Sequence, residues 1–180
     1  MRVIAGTARG IRLTALPGED VTRPTVDRVK EAMFSSVQFL LPGARVLDLF
    51  GGSGQLGIEA VSRGAASADI IDQNAAAIRV ITENCRLTGL SGQCRVHSCE
   101  AGSYLASCGQ RYDLILMDPP YRHGTVARLL PAVDRVTAPG GVVICETEPE
   151  AELPAETEGL ILKKQHRYGK ILVTKYEKKG

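Results

Sequence analysis

Arg45-Val46-Leu47-Asp48-Leu49-Phe50-Gly51-Gly52-Ser53-Gly54-Gln55-Leu56-Gly57-Ile58-Glu59-Ala60 is the stretch that decides the fold. An apolar run over 45–50 enters three glycines within four residues, and a helical pattern over 55–63 follows at once. Glycine lets the backbone turn sharply and lets a ligand approach where a Cβ would clash. The helix start beyond it offers unpaired N–H groups and the positive end of a helix dipole. Gly52 to Gly57 also matches G-x-G-x-x-G, the dinucleotide fingerprint. Taken alone, this turn is compatible with a nicotinamide dinucleotide, with S-adenosylmethionine, or with a purely structural strand-to-helix turn.

Outward from the turn, short Val/Ile/Leu-rich runs at 68–72, 94–97, 112–117 and 141–146 alternate with helical patterns at 75–87, 103–107 and 125–136. Continuous apolar runs are what strands buried on both faces require. Their alternation with helices predicts an α/β fold with a doubly wound, mostly parallel sheet. The ends differ. Residues 2–16 alternate around Gly6 and Gly10, as a small hairpin or arm would. Residues 26–40 place Val29, Met33, Phe34 and Val37 on one helical face. Runs at 160–165 and 171–176 are separated by Tyr168-Gly169-Lys170, too short for a helix, which predicts an antiparallel hairpin at the sheet edge.

With 180 residues and a net charge of +2, the chain has the length of one domain, and charge alone points to no partner. The distribution is more specific. Residues 1–16 carry Arg2, Arg9 and Arg12 and no acid; the last twenty are rich in lysine; residues 146–158 are acidic. Basic ends suit a localised phosphate-facing surface. Five cysteines, an odd number with no C-x-x-C pair, read as reduced cytosolic thiols. No metal site is expected: His97 alternates away from Cys99 on an extended strand, and there is no second ligand cluster. No apolar run has the length to span a bilayer.

Two acids frame the turn. Asp48 lies in the strand before the glycines, where a buried carboxyl is costly without a task. Asp72 ends the next apolar run, where a carboxylate can accept from ribose hydroxyls or cap the following helix. The chemistry is narrowed by Tyr112-Asp113-Leu114-Ile115-Leu116-Met117-Asp118-Pro119-Pro120-Tyr121. An apolar strand runs into Asp118, at the carboxyl end where ligands of open α/β sheets bind. The two prolines remove backbone donors and fix φ, leaving a rigid edge of acceptors. Tyr121 adds an aromatic face for an unstacked base. A planar amino group can donate to Asp118 and to the Pro119 carbonyl. Catalysis is then mainly positioning for in-line transfer of a methyl group.

The chain resembles the Rossmann-like amino-methyltransferases and, within them, the bacterial RsmD-type 16S ribosomal RNA guanine-N2 methyltransferases. The likeness is carried by Arg2-Val3-Ile4-Ala5-Gly6, Arg9-Gly10, Thr22-Arg23-Pro24-Thr25, Asp27-Arg28-Val29-Lys30-Glu31, Val46 to Phe50, Leu56 to Ala60, Ser62 to Ala65 and the Asp-Pro-Pro-Tyr loop. It covers nearly the whole chain. Gly52 and Asp72 depart from the usual alanine and glutamate, and Cys99-Glu100 from the usual Gly-Asp.

The resemblance implies a seven-stranded methyltransferase sheet, with residues 1–180 as one domain: an arm over 1–25 and a catalytic core over 26–180. It implies S-adenosylmethionine at Asp48, Phe50, Gly51, Gly52, Ser53, Gly54, Asp72, Gln73, Glu100 and Ala101, with Arg23 and Thr25 closing over it. Asp118, Pro119, Pro120 and Tyr121 would take the guanine, and Arg9, Arg12 and Arg28 would meet RNA. The implied partner is 16S ribosomal RNA within the small subunit or its assembly intermediate, met by a cytoplasmic monomer. Adenine N6 is an alternative target allowed by the same loop. A nicotinamide oxidoreductase leaves residues 118–121 without a use. An inactive assembly factor has no need of Asp48, Asp72 and Asp118 together.

Overall fold

The computed structural model describes residues 1–18, 24–120 and 123–180, and for Pro24 and Thr25 the backbone alone. In chain order the elements are α1 (Pro24–Ser35), β1 (Arg45–Asp48), α2 (Gln55–Ser62), β2 (Ser67–Asp72), α3 (Ala75–Leu87), β3 (Cys94–Ser98), α4 (Ala101–Ser107), β4 (Tyr112–Met117), α5 (Thr125–Val136), β5 (Thr137–Thr147), β6 (Leu160–Tyr168) and β7 (Ile171–Lys178). They build a seven-stranded sheet of order β3-β2-β1-β4-β5-β7-β6. Strands β1 to β5 run parallel, while β7 pairs antiparallel with β5 and β6 antiparallel with β7. Both the doubly wound parallel sheet and the antiparallel C-terminal hairpin expected from the sequence are present.

Alternation along the central strands divides the core in two. Val46, Ile70, Leu114, Leu116 and Ile144 pack toward α1, α2, α3 and the N-terminal arm. Leu47, Ile71, Ile115, Met117 and Cys145 pack toward α5 and α4. Each fully buried side chain of this kind contributes roughly 1.5–3 kcal/mol. The strand order reverses between β1 and β4, so the connections leave in opposite directions and open a crevice at the carboxyl ends.

Element ends differ from the expectations. The first helix stops at Ser35, where the pattern ran on to residue 40. β5 starts at Thr137, four residues early, because Tyr112 pairs with Thr137 before a register shift restores the regular ladder at Leu114 and Val142. Its first residues include a proline and two glycines, which mask a strand in the sequence.

The arm is a narrow loop closed by an antiparallel bridge between Arg2 and Arg12. It is held against α2 by one buried carboxylate. Glu59 is fully buried and accepts from Ile4 N at 2.9 Å and Ala5 N at 3.0 Å. The same group pairs with buried Lys30 at 3.4 Å and with Arg63 at 2.9 Å. One turn on, Ser62 Oγ accepts from Ala8 N and donates to the Ala5 carbonyl. Farther along, buried Asn84 on α3 accepts from Thr14 N and donates to the carbonyls of Thr14 and Ser53. One amide thereby ties the arm to the glycine turn.

Removing one partner of a buried ion pair leaves the other charge uncompensated, which typically costs about 3–5 kcal/mol. Glu59→Ala is expected to lower the unfolding free energy by about that much, read from urea unfolding. Glu59→Gln, which retains an acceptor for one arm amide, is expected to lose less. A loss below about 1 kcal/mol for the alanine variant would show that the arm is held by something else.

Candidate active site

The site is built at the carboxyl ends of β2, β1, β4 and β5, side by side in the sheet. In β1, Leu47 points to one core and Val46 to the other, so Asp48 shares the side of Val46. Its Oδ2 accepts from Gly57 N of α2 at 3.1 Å. Gly57 approaches β2 so closely that a Cβ there would lie 2.7 Å from the Ile70 side chain. The third glycine of the fingerprint therefore serves helix–sheet packing. Gly54 takes φ 82° at the start of α2, which turns the chain from strand to helix.

A cavity of about 830 Å³ opens above this turn. Phe50, Gly51, Gly52 and Ser53 form one wall, and Asp72, Gln73 and Asn74 continue it from the end of β2. Asp118, Pro119 and Pro120 after β4 line it as well, with Glu146 and Thr147 at the end of β5 and Glu148 just beyond. Val26, Val29 and Lys30 of α1 and Met1 of the arm close one side. The size suits a nucleoside-bearing ligand.

Asp72 has a double position. Its Oδ2 accepts from Gly52 N at 2.9 Å and its Oδ1 from Asn74 N at 2.8 Å. The carboxylate ties the glycine turn to the end of β2 while still facing the cavity. Each oxygen has a further lone pair for a ligand hydroxyl. The helix cap expected of Asp72 is supplied by Asn74, which accepts from Ala76 N.

The electrostatics are dominated by acids. Asp48 is wholly buried, and its Oδ1 has no hydrogen-bond partner among the described residues. Burial raises its carboxyl from the ordinary 3.8 to about 7, helped by the nearby charges of Asp118 and Asp72 and opposed by the Gly57 and Phe50 amides. Glu146 is raised well above the usual carboxylate range, first by burial and then by Asp118 and Asp48. Such a cluster suits a ligand carrying positive charge. A sulfonium nucleoside with an ammonium group fits this donor set: an acid for the ribose, a glycine turn without Cβ atoms, and a negative field between them.

The structure brings Phe50, Gly51, Gly52, Ser53, Asp72, Gln73, Asp118, Pro119 and Pro120 together around one cavity. Asp48 and Gly54 lie behind its wall. Glu100 does not reach it: both carboxylate oxygens cap α4, accepting from Gly102 N and Ser103 N at 2.9 Å, which holds its carboxyl below the usual range. Ala101, the first residue of α4, is buried and does not line the cavity. Arg9, Arg12 and Arg28 are exposed. Arg23 and Tyr121, and the side chain of Thr25, lie outside the described residues.

Sequence reasoning passed over Glu146, Lys30 and Glu148 as wall residues. An acid closing the fifth apolar run was the available signal for Glu146. The five cysteines are free thiols. His97 Nε2 lies 2.7 Å from Asp69 Oδ1, and among the described residues no group of three or more His, Cys, Asp or Glu can hold a metal. Among them, too, no helix is long and apolar enough to cross a membrane.

The strand order, the antiparallel hairpin and the cavity at the switch point define a Rossmann-like enzyme of the methyltransferase type. Residues 1–177 match the family described as conserved hypothetical protein 95. The chain belongs to this family, the RsmD family that its sequence resembles. It is 35% identical over 185 residues to YlbH of Bacillus subtilis, covering all of both chains. It is 32% identical over 182 residues to the ribosomal RNA small subunit methyltransferase D of Escherichia coli K12, covering all of this chain and 91% of that one. The solved structure of yhhF from Escherichia coli superposes with a TM-score of 0.86 at 30% identity, over all of this chain and 98% of that one.

A carboxyl raised in the folded state favours folding most fully below its unfolded value and loses that contribution as pH rises through the folded value. For Asp48 the window runs from about 4 to about 7. The ionised group then costs on the order of 4 kcal/mol. Asp48→Asn is therefore expected to gain stability over the parent as pH rises through this window. Urea midpoints at pH 4.5 and 8 measure the gain; the same offset at both would remove Asp48 from the titration.

Proposed function

We propose that the protein transfers a methyl group from S-adenosylmethionine to the exocyclic N2 amino group of a guanine in small-subunit ribosomal RNA. The observation that carries this reading is that Asp118, Pro119 and Pro120 line one cavity with the glycine turn and Asp72. The RNA assignment is supported by membership of the family and by the name of the Escherichia coli relative.

In this reading Asp72 and Gln73 take the ribose, and the turn at Gly51, Gly52 and Ser53 takes the methionine end. Asp48 contributes from behind, fixing the turn through Gly57 and lending its field. When bound, the cofactor supplies an electrophilic methyl on a sulfonium, so no leaving group needs a proton. The work of the chain is then positional. The Asp118 carboxylate and the Pro119 carbonyl accept from the two N2 hydrogens, aim the nitrogen lone pair, and hold the proton that must leave. Neither proline has an N–H that would compete for the amine lone pair. Tyr121 is the stacking platform of this reading, while Arg23 and Thr25 close the cofactor side.

The arm and α1 present Arg9, Arg12 and Arg28 outward, as phosphate contacts require. We take residues 1–180 to act as one unit, a cytoplasmic monomer that meets its RNA inside the small subunit or an assembly intermediate. A small enzyme of this kind reads a shape built largely by others.

Asp118→Ala is expected to abolish transfer to small subunits lacking the modification while changing affinity for S-adenosylhomocysteine by less than about threefold. Equal loss of both would place Asp118 in cofactor binding alone. Nucleoside analysis of the product distinguishes N2-methylguanosine from N6-methyladenosine, and the latter would overturn the assigned target.

Arg9→Ala with Arg12→Ala is expected to weaken binding to the subunit and to flatten its salt dependence. Two phosphate contacts correspond to a slope change of about 2 in log affinity against log salt. An unchanged slope would remove the arm from the RNA surface.

A further inference from the structure

The hairpin of β6 and β7 ends in a turn that the chemistry above does not use. β7 runs antiparallel to β5, with Glu146 paired to Val173 and Thr147 to Leu172. Ile171 and the turn at Gly169 and Lys170 therefore continue past the end of β5, beyond the carboxyl edge of the sheet. At the rise of an antiparallel strand, Lys170 stands roughly 10 Å beyond the level of Glu146. Lys170 and Ile171 line the cavity. In the strand order the hairpin lies on the far side of Asp118 from β1 and β2, which carry the cofactor positions.

A single extra residue decides what this hairpin presents. Leu162 pairs with Tyr176 and Lys164 with Lys175, so Lys163 is bulged out of the ladder. Leu162 packs into the core on the α5 side of the sheet, whereas Tyr168 packs into the core on the α1 side. An even number of residues apart, the two would share a face in a regular strand. The bulge turns Lys164, His166 and Tyr168 to the face that carries α1 and the arm. There the His166 and Tyr168 ring centroids lie 4.4 Å apart, with Tyr168 half-buried and His166 exposed. Lys164 and Lys170 are exposed and have no acidic partner among the described residues. Lys175, Lys178 and Lys179 are engaged instead, by the Ser36 carbonyl, Asp134 and Glu156.

The opposite face carries acids. Leu153 packs into the core on that side, and its neighbours Glu148, Glu150 and Glu152 line the cavity. A polyanion meets cations on the α1 side of the hairpin and carboxylates on the other. Lysines on an edge strand also discourage pairing with another sheet, which accounts for Lys163 and Lys164. It does not account for an exposed ring leaning on an anchored one, or for a cation in the turn beyond the last strand pair.

We propose that the hairpin tip is a second RNA contact, where an unpaired base flanking the target stacks on His166, backed by Tyr168, while Lys164 and Lys170 meet the phosphates beside it. This rests on the RNA reading given above. Unpaired bases are recognised by stacking on rings of this kind. Such stacking tolerates any base, so the contact places the strand without reading its sequence. The arm and the hairpin share one face of the sheet, with α1 and the mouth of the crevice between them. The RNA is thus held at two points, one on each side of the base that enters.

Small subunits lacking the modification are the probe. Affinity is measured against salt for the parent, His166→Ala, His166→Phe and the double variant Lys164→Ala with Lys170→Ala, with S-adenosylhomocysteine affinity beside each. Arg111→Ala, which removes an exposed charge at the amino end of β4, is the control. Hydroxyl-radical protection of the RNA backbone is mapped at saturating enzyme.

His166→Ala is expected to bind about 5- to 100-fold more weakly, the worth of one base stack, and to lose protection of a discrete segment beside the target. His166→Phe, which retains a ring without the imidazole, is expected to restore both. The lysine pair is expected to flatten the slope of log affinity against log salt by about 1.4, and Arg111→Ala to leave it unchanged. All variants are expected to retain the parent's affinity for S-adenosylhomocysteine. Unchanged affinity in His166→Ala, no rescue by phenylalanine, an equal slope change in the control, or a matching loss of S-adenosylhomocysteine affinity would each overturn the contact. So would weaker binding with an unaltered RNA protection pattern, which would assign the tip to a protein of the subunit. A parent that neither binds nor methylates the subunits would instead overturn the RNA reading, and this inference with it.

Discussion

A buried carboxyl with one oxygen unsatisfied is the constraint around which the rest of this protein is arranged. Asp48 lies at full burial where β1 meets the glycine turn. One oxygen holds the Gly57 amide, which locks the first turn of α2 against the strand. The other has no hydrogen-bond partner among the described residues. Leaving a buried polar atom unpaired costs about 1–3 kcal/mol, so a fold selected for stability alone would place an apolar residue here. The cost is intelligible if the carboxyl lends negative charge to a cavity that takes a cation. Strain and unpaired groups concentrate at functional sites, and here the unpaired group lies directly behind the ligand wall.

The second constraint is mechanical. Glu59, two residues after Gly57, gathers the arm amides, Lys30 of α1 and Arg63 at the end of α2. α2 therefore carries the glycine turn at its start and the arm along its outer face. Asn84 closes the circuit by joining Thr14 of the arm to the Ser53 carbonyl. The exposed arginines of the arm and the cavity wall belong to one rigid assembly. In the proposed reading, RNA contacts made by the arm would thereby be indexed to the position of Asp118.

Much of this was legible in the sequence, for identifiable reasons. Strands β1, β2 and β4 are continuous apolar runs, and each ends at or beside an acid, so Asp48, Asp72 and Asp118 marked the carboxyl edge before any coordinate. The hairpin of β6 and β7 was legible from a connection too short for a helix. What stayed hidden depends on three-dimensional accounting. The start of β5 is disguised by Pro139, Gly140 and Gly141, residues that normally break strands. Glu100 was assigned to the cofactor by likeness, whereas it caps α4 away from the residues that line the cavity. Glu146 was read as the end of the fifth apolar run and the first member of an acidic segment, with no place in the site. Its place beside Asp118 follows from the register of Met117 with Cys145 across β4 and β5, a pairing between strands that the run alone does not give.

The order of acids along the crevice also bears on turnover. Asp72, Asp48, Asp118 and Glu146 occupy four neighbouring strand ends; burial first, and then repulsion by the neighbouring acids, raises the carboxyls of Asp48 and Glu146. A cation placed among them relieves that repulsion, so binding energy is drawn from the protein's own electrostatic tension. In the reaction proposed, the donor is cationic at sulfur and the spent cofactor is not. The attraction that gathers the substrate therefore falls when the methyl leaves, and the acids favour exchange of the spent cofactor for a fresh one. A cavity lined by neutral acceptors could orient the same ligand, but it would hold both forms with similar strength. The acidic crevice distinguishes them by charge, which is the one property that the reaction changes at that position.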